Sequence, residues 1–274
     1  MFKKIFENVQ NETPLVHCIT NYVTVNDVAN VLLAAGGSPI MADDPKEVEE
    51  ITAICAALNL NIGTLNERTI HSMLKAGKKA NSLSHPVVLD PVGAGASALR
   101  TETTFELIDT IAFSVIKGNI SEMKTIYAGS GTTKGVDADV SDAVTEDTVS
   151  EAVAFAKDLS ARTNAVIAIT GAIDIVADSQ KAYVIRNGHP SMAKISGTGC
   201  MLSGLIAAFC GANRENLLDA TATAVCLMGL SGELAQEKAV KNDAGTSSYR
   251  AYIIDEISKM SADKLAGGVK IEHR

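Results

Sequence analysis

A chain of 274 residues, 46% apolar and 20% charged, is long enough to bury a large core, and with 4% aromatics and no tryptophan that core must be built from Ala, Val, Ile and Leu. A net charge of -8 excludes a protein whose main task is to hold a nucleic-acid backbone or an anionic membrane surface, although backbone N–H groups can still bind an anion locally. Five cysteines with no CxxC pair point to free thiols in a reducing compartment, and the broken apolar pattern of MFKKIFENVQNETP lacks a signal-peptide core, so a cytoplasmic protein is expected.

Along the chain, His17-Cys18-Ile19-Thr20-Asn21 reads as a packed strand that ends on a polar amide. Gly36-Gly37-Ser38-Pro39-Ile40-Met41 then offers a soft apolar contact. Asn21, both donor and acceptor, and Met41 together suit a pocket for a small polar heterocycle. Segments near 46–57, 66–80, 100–111 and 147–161 read as helices, alternating with apolar runs at Leu58–Ile62, Pro86–Leu89, Ser114–Ile116 and Val166–Ile169 that read as strands. Strands apolar on both faces and joined by helices predict right-handed crossovers in a parallel sheet covered on both sides. IDIVADSQKAYVIRNG reads as a hairpin turning at Asp178-Ser179-Gln180, at one side of that sheet. From Gly199 the chain reads as helical, through Leu202–Cys210, Arg214 to Glu237, and Ser247–Met260. The most apolar stretch, Leu202 to Phe209, falls short of the roughly 20 residues that span a bilayer, so no membrane role is expected. The Gly/Thr/Asp-rich stretch Ala128–Asp142 reads as a loop, and residues 1–274 as a single domain.

Chemistry gathers where these strands end. Val87-Val88-Leu89-Asp90-Pro91-Val92-Gly93-Ala94-Gly95 puts a carboxylate and flexible glycines beyond a strand, at the edge where open α/β sheets bind ligands; Asp90 there suits magnesium, a substrate hydroxyl, or simple turn capping. Lys117 ends the next strand. Asn119 and Glu122, three apart, suit magnesium-bound waters if a helix starts there, and equally suit an ordinary helix cap. Thr170-Gly171 adds a hydroxyl and an N–H after a further strand. Ser196-Gly197-Thr198-Gly199-Cys200 precedes a long run of small and apolar residues. A glycine turn entering a helix aims unpaired N–H groups and the positive end of the helix dipole at one point, which is a cradle for phosphate. No zinc-type ligand spacing is present.

The ordered set PLVHCITNYVTVNDVANVLLAAGGSPIMADDP, VVLDPVGAG, IKGNISEM, ITGAIDIV and SGTGCMLSGLIAAF resembles the hydroxyethylthiazole kinase family of the ribokinase-like superfamily, nearly end to end. The resemblance implies a three-layer α/β/α fold with a mostly parallel central sheet, an edge hairpin and a helical C-terminal third. It implies ATP-dependent phosphorylation of the primary alcohol of 4-methyl-5-(2-hydroxyethyl)thiazole in thiamine salvage, with Mg2+, in a homotrimer whose active sites lie between subunits. Carried onto matching positions, it assigns thiazole contacts to Met41 and Gly197, with Asn21 near the hydroxyl, and ATP contacts to Lys117 and Thr170. Asp90 and Glu122 fall in the magnesium and phosphate network, with Asn119 behind them. Gly197, Gly199 and Cys200 form the catalytic turn. Two departures matter: the family often has Arg where this chain has Lys117, which exchanges a flat fork for a compact ammonium, and Cys200 replaces the aspartate base of the wider superfamily, as is usual in the thiazole branch. Rival readings are a hydroxymethylpyrimidine kinase, an ADP-dependent NAD(P)H-hydrate dehydratase on the same fold, and a nucleotide sensor without turnover.

Overall fold

The apolar runs form strands because each is covered on both faces, and β-branched residues fill that environment best. A computed structural model describes residues 2–129 and 143–274. In chain order they form α1 (Phe2–Glu12), β1 (Leu15–Ile19), α2 (Val25–Ala34), β2 (Ser38–Ile40), α3 (Val48–Ile54), β3 (Ala57–Asn61), α4 (Glu67–Ser82), β4 (Val87–Asp90), α5 (Ala98–Thr110), β5 (Val115–Asn119) and α6 (Ile120–Gly129). There follow α7 (Val149–Thr163), β6 (Val166–Thr170), β7 (Asp174–Ala177), β8 (Ala182–Ile185), a 3₁₀ turn at Pro190–Lys194, α8 (Thr198–Gly211), α9 (Leu217–Lys241), α10 (Thr246–Ser258), α11 (Ala262–Gly268) and β9 (Ile271–His273).

The strands make one nine-stranded sheet in the order β2-β1-β3-β4-β5-β6-β7-β8-β9. From β2 to β6 all pairings are parallel, and β7, β8 and β9 are antiparallel to their neighbours. One core lies under α1, α2, α8, α9 and α10 and is centred on Leu205, Phe209 and Cys226; the other, with Leu60, Leu89, Ile116 and Met123, lies under α4 to α7. The expected three-layer α/β/α arrangement is therefore present, with a helical C-terminal part.

The strands and helices read from sequence fall within a few residues of those observed. The hairpin turns where expected, β7 pairing with β8. It stands one place inside the edge, because β9 pairs outside β8. β9 escaped sequence reading because Ile271-Glu272-His273 is short and polar, and its strand character comes only from the partner it finds. The sequence pattern does not mark the helices α1, α2 and α11, and α6 starts where Asn119 and Glu122 allow a helix. Apart from Ala128 and Gly129, which end α6, the stretch expected to be a loop lies outside the described residues.

Helix α8 explains how an apolar run sits beside a polar site. From Met201 to Gly211 every side chain is buried, so the helix has no wet face and threads the core. By length and composition α9 could cross a membrane, yet it is mostly buried inside this fold.

Candidate active site

Register puts three polar side chains in a row. Asn61 on β3 pairs with Asp90 on β4, and the β4–β5 register that pairs Leu89 with Ile116 brings Lys117 next to Asp90. Residues of this phase face α8, since Val88 and Val115, two positions back from Asp90 and Lys117, and Ala57, four back from Asn61, belong to the α8-side core. The amino end of α8 caps the row.

Gly197 is the cap residue of α8, with φ of 92°, a conformation L side chains rarely adopt, and it offers the helix no side-chain acceptor. The N–H groups of the first helical turn are left to point outward. A Cβ on Gly197 would lie 2.3 Å from Thr24 Cγ2, and one on Gly199 would lie 2.9 Å from Lys117 Nζ. Gly197 is therefore required both by the turn and by close approach, and at Gly199 the missing side chain leaves room for the Lys117 ammonium.

Hydrogen bonds tie the cluster together. Lys117 Nζ donates to Asp90 Oδ1 at 3.2 Å, with side chains only 5% and 1% exposed. Asn61 Nδ2 and Ser203 Oγ both donate to Asp90 Oδ2 at 2.6 Å. Asn61 Nδ2 also reaches Cys200 Sγ at 3.3 Å, and Asn21 Nδ2 reaches the same sulfur at 3.2 Å while donating to Asn61 Oδ1 at 2.9 Å. Burial alone would lower the Lys117 ammonium, but the charges of Asp90, Cys200 and Glu122 outweigh it and raise its pKa above the usual lysine value. Lys117 is thus a fixed cation beneath the glycine turn.

Where β5 passes into α6, Asn119 and Glu122 make the reciprocal cap that their spacing allowed. Glu122 N donates to Asn119 Oδ1 at 2.9 Å and Asn119 N to Glu122 Oε2 at 2.8 Å. The other carboxylate oxygen, Glu122 Oε1, accepts from Gly93 N at 2.8 Å, which pins the loop after β4. Burial pushes the Glu122 carboxyl up, and the Gly93 and Asn119 N–H groups pull it back.

Thr170 ends β6, its Oγ1 donating to Gly118 O at 3.3 Å. It lines a cavity of about 480 Å³ with Gly171, Asp174, Thr198, Gly199 and Met228. The cavity runs from the glycine turn to the apolar flank of α9, which suits a nucleotide with phosphates at the turn and its base among apolar side chains. Asp174 Oδ1 accepts from Gly171 N at 2.8 Å. Burial pushes this carboxyl up to about 7, against weaker pulls from Gly171 N–H and Lys117.

Met41 stays outside the hydrogen-bonded cluster. It follows β2 at the same sheet end as Asn21 and packs, partly buried, on the α8-side core. The segment after it is clamped from beneath: His17 Nε2 is 2.8 Å from Ala42 O, Nδ1 is 2.8 Å from Thr52 Oγ1, and Ser72 Oγ donates to Asp43 O at 2.7 Å. Burial lowers the pKa of His17, keeping it neutral. Since a carbonyl can only accept, Nε2 carries the proton, and the one proton of the Thr52 hydroxyl is shared between Nδ1 and Val48 O, 2.7 Å away.

The structure thus joins Asn21, Asp90, Lys117, Gly197, Gly199 and Cys200 at one sheet edge, with Asn119 at the end of β5, Glu122 in the first turn of α6 and Thr170 at the end of β6. It adds Asn61 and Ser203, which the sequence reading did not single out. The available signals were a second amide in the otherwise apolar run LNLNI and a lone hydroxyl one turn into an apolar helix.

Comparison with known proteins agrees with this geometry. The model of the hydroxyethylthiazole kinase family matches residues 6–263. A hydroxyethylthiazole kinase from Clostridium acetobutylicum is 60% identical over 272 residues, 99% of each chain, and one from Desulfovibrio desulfuricans is 49% identical over 99% of this chain and 97% of its own. The solved structure of hydroxyethylthiazole kinase from Pyrococcus horikoshii superposes with a TM-score of 0.88 at 32% identity, covering 100% of this chain and 98% of that one. With a glycine turn opening α8, a buried lysine–aspartate pair and an amide-held thiol at the edge of such a sheet, this chain belongs to the hydroxyethylthiazole kinase family.

Proposed function

We propose that this protein transfers the γ-phosphoryl group of ATP to the primary alcohol of 4-methyl-5-(2-hydroxyethyl)thiazole, giving the thiazole phosphate and ADP for thiamine salvage. The observation that carries the reading is the placement of Cys200 at the first turn of α8, beside Asn21 and within one amide of Asp90. In the transfer step the substrate oxygen forms a bond to the γ-phosphorus as the bond from that phosphorus to the β,γ-bridging oxygen breaks. The hydroxyl proton passes to Cys200 Sγ as thiolate, which becomes the thiol, and the electron pair of the broken P–O bond leaves on ADP. Such transitions are loose, so alignment and charge neutralisation supply most of the acceleration, and a weak base is enough. The N–H groups of the α8 first turn and Lys117 receive the charge on the transferring group, and Thr170 holds the nucleotide side. Asn21 orients the hydroxyl, and Met41 and Gly197 form the thiazole side of the pocket.

Among the described residues, no group of three or more His, Cys, Asp and Glu side chains could hold a bare metal ion. The donor set fits Mg2+ in its usual kinase form, hydrated and held largely by phosphate oxygens. Asp90 and Glu122 already accept hydrogen bonds from Lys117, Asn61, Ser203, Gly93 and Asn119, and their remaining lone pairs suit Mg2+-bound water. When bound, the ion neutralises β- and γ-phosphate charge. Asn119 acts behind it, by holding Glu122.

The protein works as one kinase domain over residues 1–274, in the cytoplasm, as a homotrimer. Tyr22 and Val23, 78% and 62% exposed directly beside Asn21, support an active site completed by a neighbouring subunit. A coupled assay for ADP release tests the reading: release that requires the thiazole alcohol is expected. Preference for hydroxymethylpyrimidine, ATP binding without turnover, or dehydration of hydrated NAD(P)H without thiazole-dependent ADP would each overturn it.

A further inference from the structure

We propose that Asn61 is a positioning residue for the transfer step, a single amide that locks the acceptor end of the site to the phosphate end. Four hydrogen bonds define it. Its nitrogen donates to Asp90 Oδ2 at 2.6 Å and to Cys200 Sγ at 3.3 Å. Its oxygen accepts from Asn21 Nδ2 and from Gly63 N, both at 2.9 Å. An amide has two N–H groups and two lone pairs, and here all are used, in a side chain 1% exposed. Among the described residues, no other side chain hydrogen-bonds to Asn21, Asp90 and Cys200 together.

The consequences follow from the chemistry of those partners. Cys200 takes two N–H donors, from Asn61 and Asn21, and these favour the thiolate, the form of the sulfur that can receive the substrate proton. Asp90 is held from the other side by Lys117 and Ser203, so Asn61 fixes how far the thiol stands from the carboxylate. A carboxylate in place of the amide keeps the shape and both acceptor bonds but loses both donors, and puts like charges in contact with Asp90 and Cys200. Strand register allows the amide no alternative partner, because Asn61 and Asp90 are directly paired between β3 and β4.

The proposal rests on Cys200 facing the thiazole hydroxyl, so its test uses one readout that needs no substrate. In full-length protein, Asn61→Asp and Asn61→Ala are compared with the parent for kcat, for KM of ATP and thiazole, and for the pH dependence of Cys200 alkylation by iodoacetamide. Peptide mapping resolves Cys200 from the other four cysteines, all buried. For Asn61→Asp we expect kcat to fall ~100-fold with KM for ATP within about threefold, and Cys200 alkylation at pH 8 to slow at least ~5-fold. Asn61→Ala, which brings no new charge, should give smaller changes in the same directions, and it serves alone if the aspartate variant does not fold. Alkylation profiles and kcat within about twofold of the parent in the folded variants would overturn the proposal. If the parent itself shows no thiazole-dependent ADP release, the thiazole reading fails, and the alkylation comparison still decides the role of Asn61.

Discussion

Removing the charge of Lys117 tests the electrostatic core of the site. In Lys117→Met, Asp90 keeps its donors from Asn61 and Ser203 but loses its cation, in a place where it is 1% exposed. Breaking one side of a buried pair typically destabilises by ~3–5 kcal/mol, and the two surviving donors put the expectation at the lower end, about 3 kcal/mol. For 274 residues the unfolding entropy is roughly 0.6 kcal/mol/K, so Tm should fall by about 5 °C. The informative comparison is Lys117→Met/Asp90→Asn. If the single variant suffers from an unpaired charge, neutralising Asp90 should bring stability back to within about 1 kcal/mol of the parent, while turnover stays down by more than ~100-fold in both. Thermal and urea unfolding followed by circular dichroism measure the first effect, and thiazole-dependent ADP release the second. A double variant as unstable as Lys117→Met would refute the reasoning, because the loss would then come from the lysine stem and its packing.

Gly197→Ala should lose turnover and stability together: the left-handed φ of 92° costs about 1–2 kcal/mol for any other residue, and its Cβ meets Thr24 Cγ2 at 2.3 Å. Adding Thr24→Ser removes that methyl and should recover part of the stability, whereas Gly245→Ala, with nothing within 4 Å, should leave Tm unchanged. Asp174, raised from 3.8 to about 7, binds its proton more tightly folded than unfolded, so its burial erodes stability as pH climbs from about 4 to 7. Asp174→Asn should therefore stabilise the protein by about 1–2 kcal/mol at pH 8 and by little at pH 4, the full shift being discounted because the carboxyl lines an open cavity; an equal effect at both pH values in urea unfolding would contradict this. Cys200→Ala should fold normally and lose ~10–100-fold in kcat, and Cys200→Asp, which offers Asn61 and Asn21 a carboxylate oxygen in place of sulfur, should keep turnover within about tenfold of the parent. A well-folded Cys200→Asp with no turnover would remove the proton-accepting role from this position.

The local patterns of the chain settled the local structure. Apolar runs such as Val87-Val88-Leu89 read as strands covered on both faces, and a glycine turn before a run of small apolar residues as the opening of a buried helix. The Asp178-Ser179-Gln180 turn fixed the hairpin. The family motifs, in order, carried the activity. What these patterns could not decide is which polar residues meet. Asn21 and Cys200 touch from 179 residues apart, Asn61 and Cys200 from 139, and Ser203 and Asp90 from 113. A period of two tells which face of a strand a side chain occupies and leaves its neighbour across the sheet open, because register and strand order are long-range properties. So Asn61 read as one more residue of an apolar strand until β3 was set beside β4. Tertiary structure also closed Asn119 and Glu122 into a helix cap that presents Glu122 to Gly93. It drew β9 from a polar tail, and it gave His17 its carbonyl partner beneath Met41 and Ala42. The reason is the same in each case: a buried polar group takes its role from the partner that satisfies it, and here the partners lie far away along the chain.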